Sequence, residues 1–190
     1  MDLKALIEQF FKDFNKNYII CNKDDLDVEL NTDRIGIYNE FSLQFELGMF
    51  LRSYLDKNYV VEFERNVKCF KIDKSKTIKK ELDIVVFNKG LTEKYAIELK
   101  FPRYENKKQT KELDDFDEDE ACVKVLVNNG FNAAYQLVLT DNPAYYEIPS
   151  NKQGAPIKVI NQNKYDRWRS QPWVVLQGST KYYLYENKGN

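Results

Sequence analysis

A chain of 190 residues with 43% hydrophobic and 14% aromatic content can bury one sizeable core, so a single domain over 1–190 is the expectation. Its 29 basic and 30 acidic residues nearly cancel, to a net charge of −1; this excludes a uniformly basic nucleic-acid coat and a disordered acidic tail, and any DNA binding must come from a local basic surface. There is no histidine, which removes Ser-His-Asp and Cys-His nucleophiles and histidine metal sites, and leaves carboxylates with lysine among the few hydrolytic designs available.

Cys21, Cys69 and Cys122 are odd in number, widely spaced and form no Cys-x-x-Cys pair. A disulfide framework or structural zinc site is therefore not expected, and a reducing, cytoplasmic setting is. The chain opens on a charged amphipathic segment rather than a signal peptide, and no apolar run approaches spanning length, so no membrane association is expected.

Leu3, Leu6, Ile7, Phe10, Phe11 and Phe14 stand at helical spacing and predict an amphipathic helix over 2–16. Ile19 and Ile20 suit a short strand. Gly36-Ile37-Tyr38 has the form of half a GIY-YIG signature, but no Tyr-Ile-Gly follows it and it is read as coincidence. Asn39 is a natural N-cap for a helix from Glu40 to about Asp56, with Leu43, Leu47, Phe50, Leu51 and Tyr54 on its core face. Glu46 lies at the margin of that stripe, where its carboxylate can look into a core-facing cleft; Glu40 reads as a first-turn acid favoured by the helix dipole. Gly48, costly inside a helix, predicts close approach to a neighbouring element.

Tyr59 to Val67 reads as the first long strand, from which Glu64 can reach a neighbouring site or simply pair with a base. Lys74, Lys76, Lys79 and Lys80 follow in a connection, either a solvated loop or a grip for a phosphate backbone.

Two apolar runs come next, Glu81 to Asn88 and Lys94 to Phe101, joined by a short link containing Gly90, and they predict a β-hairpin. Asp83, Glu98 and Lys100 interrupt runs that otherwise look like central strands buried on both faces. Alternation places Glu98 and Lys100 on one face, and pairing Asn88 with Glu93 brings Asp83 opposite Glu98 on the same face. Two carboxylates crowded on a buried face need compensation; a divalent cation supplies it, and hard oxygen ligands suit Mg²⁺ or Mn²⁺. Lys100, beside them, is placed to orient or help deprotonate an attacking water and to steady charge on a phosphoryl group. The bland alternative is a surface hairpin with a cross-strand salt bridge.

Asp83, a fourteen-residue spacer and Glu98-Leu99-Lys100 resemble the PD-(D/E)XK motif of the restriction-endonuclease-like nucleases, with Leu82 where the motif has proline. The hairpin, an upstream helix carrying an acid and a downstream helix and strand extend the resemblance over residues 38 to 145. It implies a three-layer α/β/α fold around a central mixed sheet and a Mg²⁺- or Mn²⁺-dependent endonuclease that hydrolyses DNA to 5′-phosphate products. Asp83, Glu98 and the Leu99 backbone carbonyl would hold the metal, Glu46 would complete the site from its helix, and Lys100 would position the water. Many such enzymes act as homodimers.

After Pro102 come Arg103, Lys107, Lys108 and Lys111, candidates with Lys79 and Lys80 for nucleic-acid contact, and then a run of acids from Glu112 to Glu120. The acids read as the first turn of a helix through Asn128 that closes at Asn129-Gly130. Ala133 to Leu139 reads as a sheet strand, and 156–160, 173–177 and 182–185 as short strands, the last two a hairpin around Gly178. Lys164 to Arg169 is expected as a loop whose Arg167 and Arg169, among Tyr165 and Trp168, grip nucleic acid or else pack at a sheet edge. Two other classes remain: a catalytically inactive nuclease-fold module that binds DNA or protein, and a hydrolase of a smaller phosphoester with a closed pocket.

Overall fold

The structure, a computed structural model, describes residues 1–22, 32–72, 79–104, 109–147 and 162–189, apart from the side chains of 109–112 and 162. Helix α1 (Leu3–Lys12) buries Leu3, Ile7, Phe10 and Phe11, and Asp2 caps it by accepting from the Ala5 N–H at 3.1 Å. The expected single helix over 2–16 breaks at Asp13, where φ −91° and ψ 0° leave the helical region, and resumes as the single turn α2 (Phe14–Asn17). Strands β1 (Tyr18–Ile20) and β2 (Ile35–Ile37) form a small parallel pair. Helix α3 (Glu40–Tyr54) begins at Asn39, whose side chain accepts from the Ser42 N–H at 2.8 Å while the Ser42 hydroxyl accepts from the Asn39 N–H at 3.0 Å. This reciprocal pair satisfies donors the helix itself leaves open.

Strands β3 (Tyr59–Asn66), β4 (Glu81–Asn88) and β5 (Lys94–Lys100) form an antiparallel meander. Helix α4 (Gln109–Asn128) then carries the chain to β6 (Ala133–Thr140), which lies parallel to β5. Helix α5 (Gln162–Arg169), β7 (Val174–Gln177) and β8 (Thr180–Lys188) complete the described chain, with β8 lying antiparallel between β6 and β7. The result is a mixed α/β structure with a six-stranded mixed sheet, in the order β3-β4-β5-β6-β8-β7, and five α-helices among the described residues. The expected strand over 156–160 lies outside them. Among them, no helix is long and apolar enough to cross a membrane.

Strand alternation divides the core. Ile84, Val86, Ile97 and Leu99 meet α1 and α3 through Leu3, Ile7, Leu43 and Leu47. Val85, Ala96 and Ala134 face the other way, onto Cys122, Val123 and Leu126 of α4. Every residue of β6 is buried, as a central strand covered on both faces requires. A third cluster, with Phe116, Tyr145, Tyr165, Trp168 and Tyr183, seats α5. The segment expected as a basic loop at Lys164 to Arg169 is therefore helical: Tyr165 and Trp168, three residues apart, share one turn's face and are buried together.

Gly48 confirms the close approach expected of it. A Cβ built there would stand 2.2 Å from the ring of Phe63 on β3, and that ring also receives the Arg52 guanidinium at 5.1 Å. Helix propensity alone would make Gly48→Ala stabilising by about 1 kcal/mol. Displacing a pinned ring costs roughly 1–3 kcal/mol. Urea unfolding of Gly48→Ala is expected to show a net loss of stability; a gain would mean that the Phe63 ring yields freely.

Candidate active site

The hairpin pairs Ile84 with Ile97, Val85 with Ala96, Val86 with Tyr95 and Phe87 with Lys94, and the Asn88 N–H donates to the Glu93 carbonyl at 3.1 Å. This is the register expected from the sequence, and it carries Asp83 to the position opposite Glu98. There the ladder ends. The Leu99 N–H donates not to a strand carbonyl but to Asp83 Oδ2, at 2.6 Å, so a carboxylate fills the opening between β4 and β5. Glu98 and Lys100 remain in register with Gln136 and Val138 of β6, which keeps the far side of the opening rigid.

Around it lies a cluster of acids and lysines. Glu98 has no exposed surface; its Oε2 receives the Lys79 ammonium at 2.6 Å and its Oε1 has no hydrogen-bond partner. Asp119, on α4, is equally buried. Lys79 Nζ lies 2.7 Å from Asp119 Oδ1 and 3.9 Å from Asp83 Oδ2, and Lys100 Nζ lies 3.2 Å from Asp119 Oδ2. Lys100 also donates to the Leu99 carbonyl at 3.0 Å and stands 3.7 Å from Glu40 Oε1. Glu40 accepts the Phe101 N–H at 3.2 Å, and one turn along α3 the Gln44 amide donates to the Asp83 carbonyl at 2.5 Å and to Glu64 at 2.6 Å. Two helices thus clasp the opening from opposite faces of the sheet.

Burial, with the Asp83 charge adding to it, pushes the Glu98 carboxyl well above the ordinary range. Burial likewise raises Asp119, opposed by Lys100 and Lys79, and raises Glu40, where Lys100 opposes it. For Lys100, burial works downward but the Asp119 and Glu40 charges outweigh it, so the amine is held above its ordinary value and carries its proton.

Asp83, Glu98, Lys100 and Lys79 are brought together. Glu46 is not: it sits half-buried on another flank of α3, where its charge acts on the Tyr18 hydroxyl. Six residues beyond Glu40, it is turned about 240° around the helix, whereas Gln44 is turned about 40°. The helix acid beside the opening is Glu40. Glu64, between the Phe63–Ile84 and Arg65–Leu82 pairs of β3 and β4, is exposed with φ 50° and reaches the rim through Gln44. Arg103, expected on a phosphate, is instead a buried clasp: it pairs with Asp141 at 2.9 Å and donates to the Cys21 and Tyr38 carbonyls at 2.9 and 3.1 Å. Arg167 is bound to Asp117 and Glu120, and Arg169 to Asp166 and the Ala144 carbonyl. Arg103 is thus built into the fold, while Arg167 keeps an exposed side chain that is ion-paired with the acids of α4. Lys80 is exposed. Lys107 and Lys108 lie outside the described residues, as does the side chain of Lys111.

Asp119 went unnoticed in the sequence because the acid run was expected to form a first turn, whereas α4 starts at Gln109. A signal was present. Asp119 falls on the buried stripe of Phe116, Cys122, Val123 and Leu126, where an unpaired acid has no place.

Among the described residues, no group of three or more Asp, Glu or Cys side chains forms a ready metal cage. The donors present fit one hard cation held by few protein ligands and water: the opposed Asp83 and Glu98, with Glu98 Oε1 buried and unpartnered. No protein-family model, curated protein or solved structure matches the chain.

Asp119 neutralises two lysines, so Asp119→Ala is expected to lower stability by roughly 3–5 kcal/mol in urea unfolding with EDTA. Asp83→Asn keeps an acceptor for the Leu99 N–H and removes a charge beside Glu98, and it is expected not to lower stability. Equal losses in both variants would mark the cluster as a structural salt-bridge network.

Proposed function

We propose that the chain is a metal-dependent endonuclease that hydrolyses DNA phosphodiester bonds on a three-layer, restriction-endonuclease-like fold. The observation that carries this reading is Glu98: a fully buried carboxylate with an unpartnered oxygen, set beside Asp83 where two central strands part. A purely structural ion pair has no need of such an arrangement, which costs several kcal/mol and leaves an acceptor unsatisfied. The element order supports it further, since α3, the three-stranded meander, α4 and the parallel β6 place the acids Glu40 and Asp119 on helices over both faces of the sheet.

Asp83, Glu98 and the Leu99 carbonyl would hold Mg²⁺ or Mn²⁺, which supplies charge to activate water and to stabilise a phosphoryl group in hydrolysis. Glu40 takes the helix position for which Glu46 was expected. Lys100, fixed by Asp119 and Glu40, orients the attacking water with its ammonium and draws negative charge on the phosphoryl oxygens toward itself. DNA is the proposed substrate, and a homodimer is the assembly that would cut both strands.

A second reading has its own support. Lys79 already neutralises Glu98 and Asp119, so the cluster is compatible with a nuclease-fold module that binds DNA or protein without cutting. Incubating supercoiled plasmid with the purified protein in Mg²⁺, Mn²⁺ or EDTA decides between them. Nicking that needs metal and falls at least a hundredfold in folded Asp83→Ala and Lys100→Ala supports the nuclease. No cleavage, together with no Asp83-dependent Mn²⁺ binding by calorimetry, would leave the binding module.

A further inference from the structure

We propose that Lys79 is the resident counter-ion of this site: its ammonium occupies the place among Asp83, Glu98 and Asp119 that a divalent cation uses, and the cation enters by exchange with it. The inference rests on the metal-dependent reading above and is tested so that the two can fail separately.

The geometry is that of an occupied cation position. Lys79 Nζ stands 2.6 Å from Glu98, 2.7 Å from Asp119 and 3.9 Å from Asp83, so it touches both carboxylates expected to hold a metal and one more. The third expected donor, the Leu99 carbonyl, carries the Lys100 ammonium at 3.0 Å. Lysines therefore sit on the donors that a divalent cation would use. The fit of Lys79 is incomplete in a telling way. One ammonium satisfies Glu98 Oε2 and leaves the buried Oε1 without a partner, whereas a metal with a wider coordination shell could draw on both oxygens.

The two cations compete. Charges of like sign a few ångströms apart in a poorly solvated pocket repel strongly, so a divalent ion held by Asp83 and Glu98 disfavours the ammonium between them. Lys79 is able to leave. It precedes β4, which begins at Glu81, and its side chain retains 23% exposure. A lysine is a point charge on a flexible four-carbon stem and can withdraw by changing rotamers. Lys100 differs: it lies on β5, in register with β6, and keeps the partners Asp119 and Glu40 after the exchange. Once released, the Lys79 ammonium would add a positive charge at the edge of the opening, where it attracts a phosphate backbone. Metal entry would thus also make the rim more basic.

Two measurements test this. In calorimetric titration with Mn²⁺, Lys79→Met is expected to bind at least tenfold more tightly than the unaltered protein, about 1.4 kcal/mol, because its competitor is gone. Equal or weaker binding overturns the exchange. Should Lys79→Met fail to fold, the unaltered protein decides alone: reductive methylation read by mass spectrometry should label Lys79 slowly in EDTA and several-fold faster at saturating Mn²⁺, with no such response in Asp83→Ala. Labelling of Lys79 that does not change while calorimetry shows Asp83-dependent Mn²⁺ binding overturns the exchange and leaves the metal site standing. No Mn²⁺ binding to either the unaltered protein or Lys79→Met overturns both.

Discussion

The burial of the Glu98 carboxylate is the constraint around which the rest is arranged. It stands in the middle of β5, on a strand flanked by β4 and β6, with α4 laid over its face. A charge so placed is costly by several kcal/mol unless paired, and three separate elements contribute to pairing it. The segment before β4 supplies Lys79, α4 supplies Asp119 to hold that lysine, and β5 itself supplies Lys100 to hold Asp119. Lys79 is the ion-pair partner of Glu98, and Asp119 is held in turn by both lysines, which ties residues 19 to 40 positions apart to a single buried group.

The opening of the sheet is the second condition. Antiparallel strands that stay paired leave no room at their centre, since each backbone group takes its partner across the ladder. Here β4 and β5 are paired from Phe87 and Lys94 to Ile84 and Ile97 and then separate, and the Asp83 side chain accepts the N–H that the ladder gives up. Gln44 from the opposite face takes up the Asp83 carbonyl. A backbone donor given up at the separation, the Leu99 N–H, is thus satisfied by a side chain, and Gln44 does the same for the Asp83 carbonyl on the β3 side.

Local signals made much of this legible. The hairpin register follows from the length of the turn and the apolar alternation, because a slip of one residue would have turned Ile84, Val86, Ile97 and Leu99 away from the core they share with α1 and α3. Asn39 and Ser42 announce the start of α3 by a chemistry confined to four residues. What escaped notice depends on long-range partners. Glu40 looks the same as any first-turn acid until Phe101, sixty-one residues away, donates to it. Arg103 resembles a free base until Cys21, Tyr38 and Asp141 surround it, and Arg167 until α5 packs against the acidic flank of α4. A basic residue that serves the fold and one that serves a ligand have the same local signature, and only the tertiary partners separate them.

Four carboxylates, those of Glu40, Asp83, Glu98 and Asp119, thus face two lysines, and the imbalance can be met in three ways. A proton can be taken up by a carboxyl whose affinity burial has raised, as at Glu98, Asp119 and Glu40. An ammonium can be drawn in, as Lys79 is. A divalent cation can supply two charges at once. The first two neutralise single charges and leave Glu98 Oε1 unbonded; the third would bring two charges where Lys79 brings one, and could use that oxygen. With no histidine in the chain to share protons near neutrality, lysine and carboxylate are left to divide these tasks. A fold needing only neutrality could have used apolar residues here at less cost. Retaining four acids here, with Glu98 Oε1 left without a hydrogen-bond partner, is what the proposed metal-dependent reading would account for.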